Sequence, residues 1–78
     1  MQFTRYFLET RSRPDRAIIE LSWIARAINM PLEERIQIDG RIRRWAFIPE
    51  AGNRYLRVVL LPDGVTVHNA FFDRDFLP

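Results

Sequence analysis

Two Asp-Gly pairs, Asp39-Gly40 and Asp63-Gly64, constrain the fold of this chain more than any other feature. Such a pair between apolar runs is a hairpin signal, because glycine readily takes the positive φ that a tight turn demands. The segments beside the pairs have strand length and strand patterning: EERIQID, RIRRWAFIP, RYLRVVLLP and VTVHNAFF. Glu50–Asn53, with Gly52 inside it, supplies a third turn. Before Pro31 the period is different. In RAIIELSWIARAIN, Ile18, Leu21, Ile24, Ala25 and Ile28 fall on one stripe of an amphipathic helix. Asp15 can cap that helix, or it can begin nearer Glu20; Asn29 and Pro31 end it. FTRYFLETR places Phe3, Tyr6 and Phe7 at helical spacing behind Thr4 as N-cap, with a short strand over residues 3–11 as the rival reading. Pro14 separates the two helices by disfavouring helical backbone at Arg13. The expected fold is α+β: two N-terminal helices packed on one face of a four-stranded antiparallel β-meander, in one domain over residues 1–78.

Two-residue turns at both Asp-Gly pairs and a four-residue loop at Glu50–Asn53 set an expected register. Leu60 then faces Val67, Val58 faces Asn69 and Trp45, and Leu56 faces Phe71 and Phe47. Ile36, Ile38, Trp45, Phe47, Leu56, Val58, Leu60, Val67 and Phe71 form the helix-covered face. Arg35, Gln37, Arg44, Tyr55, Arg57 and His68 share the open face with Ile42, Ile48, Val59 and Phe72. A one-residue bulge would exchange part of this assignment.

Several function classes drop out. With no cysteine there is neither a disulfide nor a thiolate zinc site, and one histidine rules out a multi-histidine metal site. No metal and no cofactor is expected. No apolar run approaches the length of a membrane span, and the N-terminal apolar residues are interrupted by charge, unlike a signal peptide. A cytoplasmic protein without membrane association is the expectation.

What remains is arginine. All 12 basic residues are arginine, and five of them lie between Arg41 and Arg57 against one acid, Glu50. A guanidinium binds phosphate with a planar fork and stacks on rings. On the expected open face, His68 is a candidate general acid or base, and Arg44 and Arg57 are candidate catalytic clamps on a phosphate. Arg35, Arg41 and Tyr55 would extend the contact along an RNA strand. The plainer reading of the same residues is a solvated strand face carrying a structural histidine.

RPDRAIIELSWIARAINMP, DGRIRRWAFIP, RYLRVVLLPDG and TVHNAFFDR together resemble a group of small uncharacterised bacterial proteins. More distantly, the order of two helices, then DGR, then RYLRVV is similar to the BrnT/RelE-like toxin superfamily. That resemblance implies a compact α+β toxin that binds or cleaves RNA without metal through basic residues of the open sheet face, paired with an antitoxin. Arg44, Arg57 and His68 match that pattern by position. The chain departs from it in having no lysine and no basic C-terminal helix. The competing expectation is a non-catalytic module whose open face meets a partner protein or a second copy of itself.

Overall fold

A computed structural model describes residues 1–78. The chain runs through β1 (Gln2–Phe3), α1 (Arg5–Thr10), α2 (Pro14–Ala17), α3 (Leu21–Asn29), β2 (Glu33–Ile36), β3 (Ile42–Ile48), β4 (Arg54–Leu60) and β5 (Thr66–Phe72), with a 3-10 turn at Pro49–Ala51. The sheet order is β1-β5-β4-β3-β2. The α+β class and the meander stand, with two corrections. The sheet has five strands, because β1 adds in parallel beside β5, and there are three helices rather than two.

Both corrections have local causes. Thr4 is the hinge at the N-terminus: its N–H donates to Val67 O at 3.0 Å, which ends β1, and its Oγ1 accepts from Phe7 N at 3.1 Å, which starts α1. Residues 3–11 are therefore a strand end followed by a helix, and a two-residue strand is too short to show a period. The expected second helix is interrupted at Ile18–Glu20. Pro14 starts one turn at its favoured first position, and α3 restarts behind Glu20. The interruption buries Ile19, Trp23, Ile24 and Ala27, while Ile18 and Leu21 of the expected stripe face solvent.

The register differs from expectation by one residue at three places. Asp39-Gly40 closes a three-residue loop, Ile38–Gly40: Gln37 N donates to Arg41 O at 2.8 Å, and Gly40 carries a φ of +89°. Ile36 therefore opposes Ile42. The β3–β4 connection takes five residues, Pro49–Asn53, so Trp45 opposes Arg57 and not Val58. Around Asp63-Gly64 the register is as expected, with Leu60 opposite Val67. A bulge at His68 then shifts the rest of β5, so that Val58 opposes Ala70 and Arg57 opposes Phe71.

Side chains alternate along a strand, so each slip exchanges faces. The helix-covered core contains Ala46, Ile48, Leu56, Val58, Leu60, Val67 and Ala70 from the sheet, packed on Phe7, Ile19, Trp23, Ile24 and Ala27. Trp45, Phe47 and Phe71 lie on the other face, against expectation, and Ile36 and Ile38 are exposed. Arg26 ties α3 to the β3–β4 turn with bonds of 3.1 and 2.7 Å to the two Glu50 oxygens, which hold the Glu50 carboxyl down to about 2. No helix is long and apolar enough to cross a membrane.

Candidate functional site

The face away from the helices is built in rows. Arg43, Val59 and Asn69 form one, and Trp45, Arg57 and Phe71 the next; Phe47 and Tyr55 follow. This face is not open along its whole length. After β5 the chain turns back, with Asp73 N donating to Tyr55 O at 2.9 Å. Asp73 Oδ2 accepts from Trp45 Nε1 at 3.0 Å and from Arg57 Nε and Nη2 at 3.0 and 2.8 Å. Phe76 stacks on Trp45 with ring centroids 4.8 Å apart and meets Tyr55 edge-on at 5.2 Å. Trp45 is consequently only 2% exposed, although no helix covers it.

Arginines and aromatic rings alternate across the same rows. The Arg35 and Arg57 guanidinium carbons lie 5.3 and 5.5 Å from the Trp45 ring centre. Arg57 and Arg16 lie 4.9 and 5.4 Å from that of Phe71. These are cation–π distances. Beside them a recess of about 330 Å³ is lined by Arg35, Arg43, Trp45, Arg57, Asp73 and Phe76, among others. Arg43 Nε is buried there without a hydrogen-bond partner. Burial pushes the Asp73 carboxyl up, but its bonds to Trp45 and Arg57 outweigh that and hold it below the ordinary carboxylate range.

The expected catalytic side chains do not converge. Arg44 and Arg57 point to opposite faces, because they are paired in register with Val58 and Trp45, which are themselves on opposite faces. Arg44 donates to Glu34 Oε1 at 2.9 Å and to Ile28 O at 3.1 Å, at the helix-covered edge. Arg57 is bound to Asp73. His68 sits in the bulge of β5, where its Nδ1 is 3.1 Å from Thr4 Oγ1 and its ring stacks on Tyr6 at 4.9 Å. Burial, and then the charge of Arg41, lower its pKa, so the imidazole is neutral near pH 7. Of the residues expected to extend an RNA contact, Arg35 pairs with Glu33 and Arg41 with Asp39 at 3.7 Å. Tyr55 packs between Phe47 and Phe76. Sequence reasoning missed Asp73, Phe76 and the unpartnered Arg43. The available signal for the first two was a further aromatic residue, Phe76, directly after the charged run Asp73–Asp75.

The sheet's two edges are unlike. On β5, β1 pairs with the first part, and beyond it Asn69 Oδ1 accepts from Ala70 N–H at 3.0 Å and from Arg16. On β2 nothing covers the outer side. Leu32, Ile36 and Ile38 are 53, 71 and 109% exposed there, and Met30 just before them is also exposed. A shallow groove of about 540 Å³ runs along Arg35–Asp39 and Arg43.

No family model, no curated protein and no solved structure matches this chain.

Proposed function

We propose that this chain is a non-catalytic interaction module that takes up an extended protein segment along the free edge of β2. The observation that carries this reading is the contrast between the two sheet edges. One is blocked by β1, Asn69 and Arg16, while the other presents unpaired backbone beside Leu32, Ile36 and Ile38. An uncovered edge strand is a template for strand addition; β2 is short and carries Glu33, Glu34 and Arg35, and the apolar exposure of this edge comes from Ile36 with the flanking Leu32 and Ile38. The competing reading, cleavage of RNA by His68 with Arg44 and Arg57, needs three side chains around one phosphate. Their contacts are instead with Thr4, Glu34 and Asp73.

A photo-crosslinking residue at Ile36, introduced in the cells that make the protein, tests the reading. It should give a discrete protein adduct, and the same residue at exposed Leu8 on α1 should not. An adduct to RNA, or none at Ile36, overturns the reading. So does RNA cleavage by the purified chain that is lost in His68→Ala.

A further inference from the structure

We infer that the face away from the helices carries a binding site for a small organic carboxylate, held by the Arg43 guanidinium between Arg35 and Arg57 in the recess beside Trp45. The site is separate from the interaction at the β2 edge and stands with or without a segment bound there.

The register sets positive charge against positive charge. Arg35 of β2 lies directly opposite Arg43 of β3, and Arg57 of β4 follows on the diagonal, opposite Trp45. Side chains directly opposite have Cβ atoms about 4.5–5.5 Å apart, and like charges at that separation repel. Two of the three guanidinium groups have carboxylates of their own: Arg35 pairs with Glu33, and Arg57 with Asp73 at 2.8 Å. Arg43 makes no ion pair, and its Nε–H is buried without an acceptor. A buried donor without an acceptor carries its full desolvation cost, and here the donor belongs to a charged group. An anion seated against Arg43 and Arg35 answers both the repulsion and the unmet hydrogen-bonding capacity.

The lining selects the kind of anion. The recess, about 330 Å³, is large enough for a small molecule. Asp73 and Asp75 line it with the three arginines. Asp73 is taken up by Arg57. Asp75 is exposed; its N–H donates to Asp73 Oδ1 at 3.0 Å, and its own carboxylate reaches no arginine. With Arg35 and Arg57 already neutralised, the uncompensated positive charge is that of Arg43 alone, which matches a monoanion. A phosphate dianion would meet twice the repulsion from the two aspartates. The two oxygens of a carboxylate fit the planar fork of a guanidinium. Phe76 and Leu77 add apolar wall to the same recess, where a carbon body can lie.

Titration of the ¹⁵N-labelled full-length protein with benzoate, at neutral pH and at ionic strength held constant with sodium chloride, tests the site. Saturable shifts should centre on Arg35, Arg43, Arg57, Phe76 and the Trp45 indole N–H, with half-saturation on the order of millimolar, the range for so small a ligand. Benzamide, which keeps the ring and lacks the charge, should leave these signals in place, and inorganic phosphate should bind more weakly than benzoate. Arg43→Gln should weaken benzoate binding roughly tenfold or more by removing charged hydrogen bonds. Asp75→Asn should tighten it about a few-fold by removing a nearby like charge. That second variant alters an exposed side chain and keeps the test decisive if Arg43→Gln does not fold. Shifts that do not saturate, the same shifts with benzamide, phosphate binding tighter than benzoate, an affinity unchanged in Arg43→Gln, or no tightening in Asp75→Asn each overturn the inference.

Discussion

Asp73 is the residue on which the uncovered face depends. It is buried, it accepts from an indole and a guanidinium, and it lies where the C-terminal segment turns back over the sheet. Its charge matters because Arg57, between the Trp45 and Phe71 rings, would otherwise be desolvated without a partner. Asp73→Asn keeps the shape and removes the charge. A hydrogen bond to a charged group contributes about 1.5–3 kcal/mol, so the variant should lose roughly that much in urea unfolding at neutral pH. The acid dependence has a definite sign. The folded-state pKa of Asp73 is lowered, so its stabilisation is complete above the unfolded value of about 3.9 and is lost as pH falls through the folded value. The gap between wild type and Asp73→Asn should therefore close on acidification below about pH 4. A gap as wide in strong acid as at neutrality would show that the ionised carboxylate is not its source. His68 acts in the same direction at higher pH. Its lowered pKa means that the unfolded chain protonates first, and stability declines as pH falls past the ordinary histidine value.

At the scale of elements, the number and order of strands β2 to β5 were legible, and the faces of β3 and of the end of β5 were not. Asp-Gly marks a turn but does not set its length. Asp39 Oδ1 accepts from Arg41 N at 3.0 Å, which favours a three-residue loop over a two-residue one. Pro49 starts a helical turn, which lengthens the β3–β4 connection to five residues. Each adds one residue and turns β3 over relative to its neighbours. Patterning along β3 compounded the error, since Trp45 and Phe47 are large aromatic residues beside the smaller Ala46 and Ile48 and look like core. Trp45 is buried, but by Phe76 and Asp73, whose contact with it spans about thirty residues and leaves no local period. The candidate site failed for the same reason. Arg44 and Arg57 share a face only in the slipped register, and the bulge at His68 has no signature in VTVHNAFF. The strands whose faces were read correctly are β4, with Leu56, Val58 and Leu60 fully buried, and β2, with Ile36 on the Leu60 side and Arg35 on the Trp45 side. Truncating Leu56 to alanine removes a large side chain between the helices and the sheet and should cost about 2–5 kcal/mol. Urea unfolding close to wild type would place Leu56 outside the core.

For the molecule as a whole, the difficulty is size. A chain of 78 residues buries a smaller share of its surface than a larger domain and has no disulfide to compensate. One layer of short helices covers one side of the sheet, and α2 and α3 together bury only Trp23, Ile24 and Ala27, with Ile19 between them. The other side would be left wet without the C-terminal segment. Phe76, 7% exposed, closes over Trp45 and Tyr55 and makes a second, smaller apolar cluster there. The last residues are thus part of the fold and not a tail. Phe76→Ala should cost about 3–5 kcal/mol, the range for losing a buried aromatic ring. The loss should also be visible locally. Trp23 lies in the helix-side core and would mask the change, so the measurement belongs in a Trp23→Phe background, where Trp45 is the sole indole. There, Phe76→Ala should shift the emission maximum to the red and make Trp45 accessible to a soluble quencher under conditions where far-UV circular dichroism is unchanged. An unshifted spectrum would mean that Arg35, Arg57 and Asp73 exclude water from Trp45 without the ring. The face opposite the helices would then be held together by its charges alone.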